Sequence, residues 1–361
     1  MEENLKIELL SEWIQEASRP VIIAGPCSAE SCSQVMETAL ELKKRNVDVY
    51  RAGIWKPRTR PDTFEGVGSE GLKWLLQVKQ ETGMKIATEV ANVKHVYECL
   101  RYGVDVLWIG ARTTANPFAV QEIADSLQGV DIPVMVKNPV NPDVDLWIGA
   151  LERLNKAGIR KLAGIHRGFS SYGPGRFRNL PQWQIPVEMK RRMPQLPLIC
   201  DPSHITGDKS LLREVSQKAM DLNFDGLMIE AHINPDEALS DKNQQVTPSE
   251  MTEIIESLIL RKIQVDDRIL KTTLGELRQH IDSLDADLID TLAQRMVIAD
   301  IIGGYKKESG ITILQSDRWN EIMEKRLKNG TKKGLSRDFM TKLLQAIHQE
   351  SINRQTLVMG K

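Results

Sequence analysis

The sequence predicts an α/β fold, a (β/α)8 TIM barrel followed by an all-α helical domain, on three observations. Between residues 21 and 231, eight short apolar runs recur at the interval of a strand-plus-helix unit. The runs are continuous rather than alternating, as parallel strands covered on both faces require. Beyond Asp241 the strand signal fades and helical periodicity takes over.

The runs are VIIAG (21–25), VYRAGI (49–54), KIATEV (85–90), VLWIG (106–110), PVMVK (133–137), KLAGIH (161–166), PLIC (197–200) and GLMIE (226–230). Most segments between them read as amphipathic helices, such as GLKWLLQVKQETG (71–83) and DLWIGALERLNKAG (145–158). Eight such units fit a closed barrel better than an open doubly wound sheet of roughly five or six strands. The expected boundaries are a barrel over 1–255, a linker over 256–271 and a helical domain over 272–361.

A chain of 361 residues is long enough for a barrel plus an appendage. Its 48 basic and 49 acidic residues leave a net charge of -1, which argues against nucleic acid or an acidic membrane as a partner. No apolar stretch is long enough to span a bilayer. The N-terminal MEENLKIELLSEW lacks the order of a signal peptide. Cys27, Cys32, Cys99 and Cys200 are irregularly spaced, as expected of a cytoplasmic protein.

In such barrels, chemistry sits where the strands end. Six cations, Arg51, Lys56, Arg58, Arg112, Lys137 and Arg167, lie at or just after strand ends and converge on one mouth. Crowded like charges repel unless a multiply charged anion neutralises them. Arginine suits bidentate phosphate or carboxylate recognition and lysine supplies a point charge. The ligand should carry at least two anionic groups, and two phosphates with a carboxylate fit. Cys27, His204, Glu230 and Asp241 occupy other ends. A thiol, an imidazole and two carboxylates form a mixed ligand set for a divalent ion such as manganese, iron, cobalt or zinc.

In the tail, Thr273 and Glu276 form a T-x-x-E capping box, and an apolar lane follows through Leu274, Leu277, Ile281, Leu284 and Leu288. The pattern runs to Lys307, and Ser309-Gly310 stops it. The helix is about 35 residues, or roughly 50 Å at 1.5 Å per residue. So short a domain cannot cover so long a lane alone, and a homodimer through the helical domain is expected. Arg295 interrupts the lane, and Lys306 falls about 20° from it on the same face, whereas Arg278 lies about 100° away. In the last helix Met340, Leu344 and Ile347 lead to Ser351 and Gln355, an i, i+4 pair on the same stripe. These polar residues in apolar lanes point to an anion pocket inside an all-helical dimer.

The barrel motifs GPCS, RAGIWKPRT, IGARTT, VKNP, DPSH and IEAH with a later SD resemble, in consistent order over residues 20–250, 3-deoxy-D-arabino-heptulosonate 7-phosphate (DAHP) synthases of the type I beta group. The resemblance implies Cys27, His204, Glu230 and Asp241 as metal ligands. It places Arg51, Lys56, Arg112, Lys137 and Arg167 around phosphoenolpyruvate, with Lys56 catalytic, and Arg58, Thr59 and Ser203 near erythrose 4-phosphate. An eight-carbon ketosugar synthase of lipopolysaccharide assembly is a close rival, and KPRT at 56–59 favours the four-carbon sugar. No regulatory domain is expected in the 20 residues before the first strand, which leaves prephenate, sensed by the tail, as the expected inhibitor.

Residues 273–358 resemble the all-helical chorismate mutases, whose LR-x2-ID-x-LD pattern begins at Leu277. The resemblance implies Arg278, Arg295 and Arg318 as clamps on the two carboxylates of chorismate, with Arg278 reaching the partner's site. Lys306 and Gln355 would face the ether oxygen and Ser351 would bind substrate. Gln315 departs from family members with an acid there. Gly303 and Gly304 are expected to let a neighbouring helix approach closely. The competing expectation is that the tail is a non-catalytic, dimerising sensor of chorismate or prephenate.

Overall fold

Because each run is apolar on both faces, each becomes a strand with helices outside and side chains packed inside. The computed structural model describes residues 5–14, 19–56, 63–171, 173, 175–262 and 268–360, with side chains of 268–269 and 316–318 excepted. The strands are β1 (Val21–Gly25), β2 (Val49–Arg51), β3 (Lys85–Val90), β4 (Val106–Ile109), β5 (Val134–Lys137), β6 (Leu162–His166), β7 (Leu198–Cys200) and β8 (Gly226–Glu230). They form a closed barrel in chain order, parallel throughout, sealed where β1 pairs with β8.

The helices of the barrel unit are α1 (Leu10–Trp13), α2 (Cys32–Lys43), α3 (Glu70–Thr82), α4 (Val93–Arg101), α5 (Ala111–Thr114), α6 (Pro117–Ser126), α7 (Val144–Lys156), α8 (Gln184–Arg192), α9 (Pro202–Thr206), α10 (Leu212–Asp221) and α11 (Pro248–Glu256). Their starts follow local chemistry. Asn116 accepts from the N–H groups at the head of α6, Asp143 does so for α7, and Thr247 with Glu250 forms a capping box for α11. Met251 of α11 is buried in the outer core with Val35, Leu72, Val120, Leu151 and Val215.

The barrel interior is a separate core of Ile23, Val49, Ala87, Trp108, Met135, Ile165, Ile199 and Met228. Trp13 and Ile14, at and just after the end of α1, join it and are themselves buried, so the N-terminal segment plugs the barrel. Gly25 ends β1 at φ +152, and a Cβ there would sit 1.9 Å from the Arg51 carbonyl oxygen. Only glycine allows that approach, and it sets where the next residues, including Cys27, emerge.

The chain divides into two compact units, Met1–Ile263 and Gln264–Lys361. In the second, α12 (Arg268–Glu308), α13 (Ser316–Lys332) and α14 (Arg337–Gly360) pack together, α14 against both others. The expected capping box is not a helix start: α12 begins at Arg268, and Thr273 and Glu276 lie inside it. Leu270 and Lys271 are good helix formers and carry the helix back past Thr273. Gly310, at φ +64, ends the helical pattern as expected. A Cβ on Gly303 would lie 3.2 Å from Gln355 Cα, so this glycine does set close packing of α12 on α14, whereas Gly304 meets nothing within 4 Å. Leu277, Ile281, Leu284 and Leu288 are each more than half exposed along α12. Among the described residues no helix is long and apolar enough to cross a membrane.

Candidate functional site

At the C-terminal ends of the strands lies a cavity of about 320 Å³, walled by Lys56, Arg112, Lys137, Arg167 and Arg178, with Glu89, His204 and Asp241 as its acidic and imidazole groups. The strands deliver these groups because they end in polar residues after continuous apolar runs. Lys137 closes β5 and reaches Asp201 Oδ2 at 2.8 Å. Arg167 follows β6 and donates to Asn179 Oδ1 at 2.6 Å. Burial pulls the Arg167 guanidinium down to about 10, with Arg178 and Arg112 adding to the effect against the opposing Asp201. A guanidinium disfavoured by burial and by like-charged neighbours gains from a bound anion.

The four expected ligands come together as two pairs. Cys27 Sγ lies 3.3 Å from Asp241 Oδ2, and His204 Nε2 lies 3.7 Å from Glu230 Oε1. Lys56 stands beside the first pair, its Nζ 2.8 Å from both Cys27 Sγ and the Cys27 carbonyl oxygen. Among the described residues no three His, Cys, Asp or Glu side chains close around a single point. Burial, then the nearby Glu230, pushes the Cys27 thiol up to about 12. Burial opposes ionisation of Glu230 too, but His204, Arg51 and Lys56 bring its carboxyl down to about 2. Asp241 is likewise held low, against burial, by Arg178 and Lys56.

The donor set fits a divalent cation. His204 Nδ1 is tied to Asp201, 2.8 Å from Oδ2, which leaves Nε2 as the free donor on the Glu230 side. This carboxylate–histidine pairing is the usual way of orienting a metal-binding ring. The buried thiol needs a strong positive neighbour to ionise, and two ionised carboxylates adjoin it.

Two of the expected residues, Arg51 and Ser203, are placed differently from the others. Arg51 does not line the cavity. It is buried beneath it, donating to Glu230 Oε1 at 2.9 Å and to the Cys27 carbonyl at 3.1 Å, its guanidinium 4.8 Å from the Trp108 ring centre. Ser203 is fully buried, and its Oγ accepts from the Glu230 backbone N–H. Arg58 and Thr59 lie outside the described residues.

Reading strand ends alone missed several groups that hold this site. Gln244 donates to Glu230 Oε2 at 2.6 Å and accepts from Arg178 at 2.7 Å, while Gln245 accepts from the Cys27 backbone N–H at 2.9 Å. Arg178 also reaches Asp241 Oδ1 at 2.9 Å. These residues sit in loops away from any strand end, where no periodic signal marks them. Asp201 carried a signal that could have been used: it caps α9 by accepting from the His204 backbone N–H, a D-P-x-H arrangement that ties its carboxylate to the histidine.

The helical unit has its own cavity, about 340 Å³, lined by Arg295, Lys306, Gln315, Trp319, His348, Ser351 and Gln355 among apolar residues of α12, α13 and α14. Arg295 donates to Ser351 Oγ, and Lys306 to the Ile313 carbonyl at 2.6 Å. Ser351 and Gln355 are buried rather than frayed toward solvent. Arg278 is exposed on α12 and does not line this cavity, and the side chain of Arg318 lies outside the described residues.

Comparison with known proteins covers both units. Residues 7–265 match the model of the DAHP synthetase I family, and residues 277–356 that of chorismate mutase type II. A phospho-2-dehydro-3-deoxyheptonate aldolase of Thermotoga maritima is 31% identical over 237 residues, spanning 66% of this chain and 68% of the relative. A 2-dehydro-3-deoxyphosphooctonate aldolase of Wolinella succinogenes is 27% identical over 270 residues, spanning 66% and 98%. The crystal structure of a Thermotoga maritima DAHP synthase superposes with a TM-score of 0.60 at 30% identity, covering 65% of this chain and 67% of that one. The chain belongs to the DAHP synthetase I family, carries a chorismate mutase type II domain C-terminal to its barrel, and is a bifunctional enzyme, a transferase and an isomerase.

Proposed function

We propose that the barrel condenses phosphoenolpyruvate with erythrose 4-phosphate and water to give DAHP and phosphate, and that the helical domain converts chorismate to prephenate. One observation carries the first half: five cations wall a cavity that His204 and Asp241 also line. Phosphoenolpyruvate brings a phosphate and a carboxylate, and the sugar a second phosphate, which matches that surplus of positive charge. The higher identity to the heptonate aldolase than to the octonate aldolase, with KPRT at 56–59, favours the four-carbon sugar.

Phosphoenolpyruvate C3 forms a bond to the aldehyde carbon, water adds at C2, and the C2–O bond to phosphate breaks. Lys137, Arg112 and Arg167 would grip the enol phosphate and carboxylate, so that both reactants are held in line before bonds change. As negative charge shifts to the departing phosphate, the same fixed cations stabilise it without reorganisation. Lys56, beside Cys27 and lining the cavity, would deliver a proton to the new hydroxyl. Cys27, His204, Glu230 and Asp241 would hold a divalent ion, whether manganese, iron, cobalt or zinc, whose chemistry when bound is Lewis acidity toward the aldehyde oxygen.

In the helical cavity Arg295 would clamp a carboxylate, Ser351 hold it by hydrogen bonding, and Lys306 and Gln355 face the ether oxygen where charge develops. The exposed Leu277–Leu288 lane of α12 supports a homodimer, in which Arg278 and Arg318 serve the same chemistry, Arg278 from the opposite protomer. We place the enzyme in the cytoplasm, in keeping with four unpaired cysteines. A coupled assay tests the barrel: phosphoenolpyruvate should disappear only with erythrose 4-phosphate, cease under a chelator and resume with added divalent metal. Loss that needs no tetrose would sink this reading. If the full chain leaves chorismate unchanged yet binds it, the tail is a sensor instead.

A further inference from the structure

The helical cavity contains a group that neither family resemblance nor the proposed roles employ. His348, on α14, lies flat against Trp319 of α13, ring centroids 3.9 Å apart and planes inclined by 10°. Both rings line the cavity. The His348 Nε2 is buried with no hydrogen-bond partner, a situation it shares with Gln355 Oε1 on the same wall. Buried polar atoms are rarely left unpaired, and two together at a cavity wall mark where a ligand's polar groups belong.

Charge assigns the two kinds of group. Arg295 and Lys306 supply the cavity's positive charge, and no carboxylate lines it among the described residues. Burial first, then Arg295 and Lys306, holds the His348 imidazole below its ordinary range, so the ring is neutral at pH 7. A neutral imidazole adds little to the grip on a carboxylate. It suits an uncharged hydroxyl, to which it can donate or from which it can accept. Among the described lining residues there is no acid to take that hydroxyl, so it needs another partner.

We propose that His348 is a substrate-contacting residue of the mutase cavity, clamped by Trp319 so that its Nε2 meets the ring hydroxyl of chorismate. This rests on the mutase reading given above. The stack matters because a surface imidazole would otherwise rotate through several rotamers, and fixing it in advance lowers the entropic cost of each bond made.

The test uses the full chain with two ligands, chorismate and its analogue lacking the ring hydroxyl, followed by turnover and by calorimetric titration. The wild type should favour chorismate by about tenfold, the worth of one well-made neutral hydrogen bond. His348→Leu should erase that preference, His348→Gln should keep part of it, and Trp319→Leu should weaken it. Circular dichroism checks that the helices persist, and if His348→Leu unfolds, the Gln and Trp319 variants decide. Retention of the full preference in a folded His348→Leu protein overturns the proposal. A wild type that titrates with chorismate but does not turn it over removes the mutase reading alone, since the titrations still read the hydroxyl contact. A wild type that binds neither compound removes both.

Discussion

The Asp201 carboxylate lies 2.8 Å from His204 Nδ1, which fixes the ring with Nε2 turned toward Glu230. The same Oδ2 is 2.8 Å from Lys137 Nζ, and both partners line the barrel cavity. Asp201 itself is fully buried and held strongly ionised, against the effect of burial, by His204 and Lys137. Asp201→Asn therefore frees the ring and strips a buried lysine of its counter-charge. Metal affinity should fall about 10- to 100-fold, as when other ligand-orienting carboxylates are removed. Metal titration of the purified protein reads this directly, and unchanged affinity would show that the pairing does not orient a ligand.

A second prediction concerns acid. His166 is fully buried among Phe169, Trp183 and Phe224, with neither ring nitrogen in a hydrogen bond. Burial, helped by Arg167, brings its pKa down to about 3. The neutral ring thus contributes stability that is complete above the unfolded value of 6.5 and is lost as pH falls toward about 3. Over that window the loss is roughly 5 kcal/mol at most. Denaturant unfolding followed by tryptophan fluorescence should show this slope in the wild type and a shallower one in His166→Leu. Equal slopes would mean that the ring does not titrate across the transition.

How much of this could be read from the sequence follows from what is periodic. Strand positions were legible because continuous apolar runs have few other uses, and β1, β3 and β8 match their runs to the residue. β2 is shorter than VYRAGI since the chain leaves the ladder after Arg51, with only an isolated bridge from Ser28 to Gly53 beyond. Strand ends also located Lys56, Arg112, Lys137, Arg167 and His204 in one cavity. What a strand end does not reveal is the level at which a side chain finishes. Arg51 stays below, on Glu230 and Trp108, and Ser203 turns to the Glu230 backbone. Gln244, Gln245 and Arg178 belong to loops whose conformation no period encodes. In the tail the i, i+4 spacing of Ser351 and Gln355 was legible. The Trp319–His348 stack was not, since it joins two helices of no shared register.

The place of Arg51 leads to a third prediction. Arg51 and Glu230 form a pair at 2% and 0% side-chain exposure. Removing one partner of a buried pair leaves an uncompensated charge and costs about 3–5 kcal/mol. Arg51→Ala should thus lose barrel stability along with condensation activity. Arg112→Ala, at the cavity wall, should lose activity with little change in unfolding. Thermal melts beside phosphoenolpyruvate turnover separate the two, and an Arg51→Ala protein of wild-type stability would return Arg51 to a purely substrate-binding role.

The last prediction tests the dimer and the shared site together. Arg278 is exposed on α12 and absent from the cavity that Arg295 lines, so an Arg278 that acts must act on another protomer. Arg278→Ala and Arg295→Ala should each lose chorismate turnover by at least about 100-fold, the scale for removing a donor to developing charge. Mixed in equal amounts, unfolded and refolded together, the two should recover about a quarter of wild-type turnover. Half the dimers are then mixed, and each mixed dimer has one intact site from two protomers. Leu284→Glu with Leu288→Glu, placed on the exposed lane, should give monomers in sedimentation and abolish this rescue. No recovery on mixing, with dimers intact, would place each site wholly within one chain.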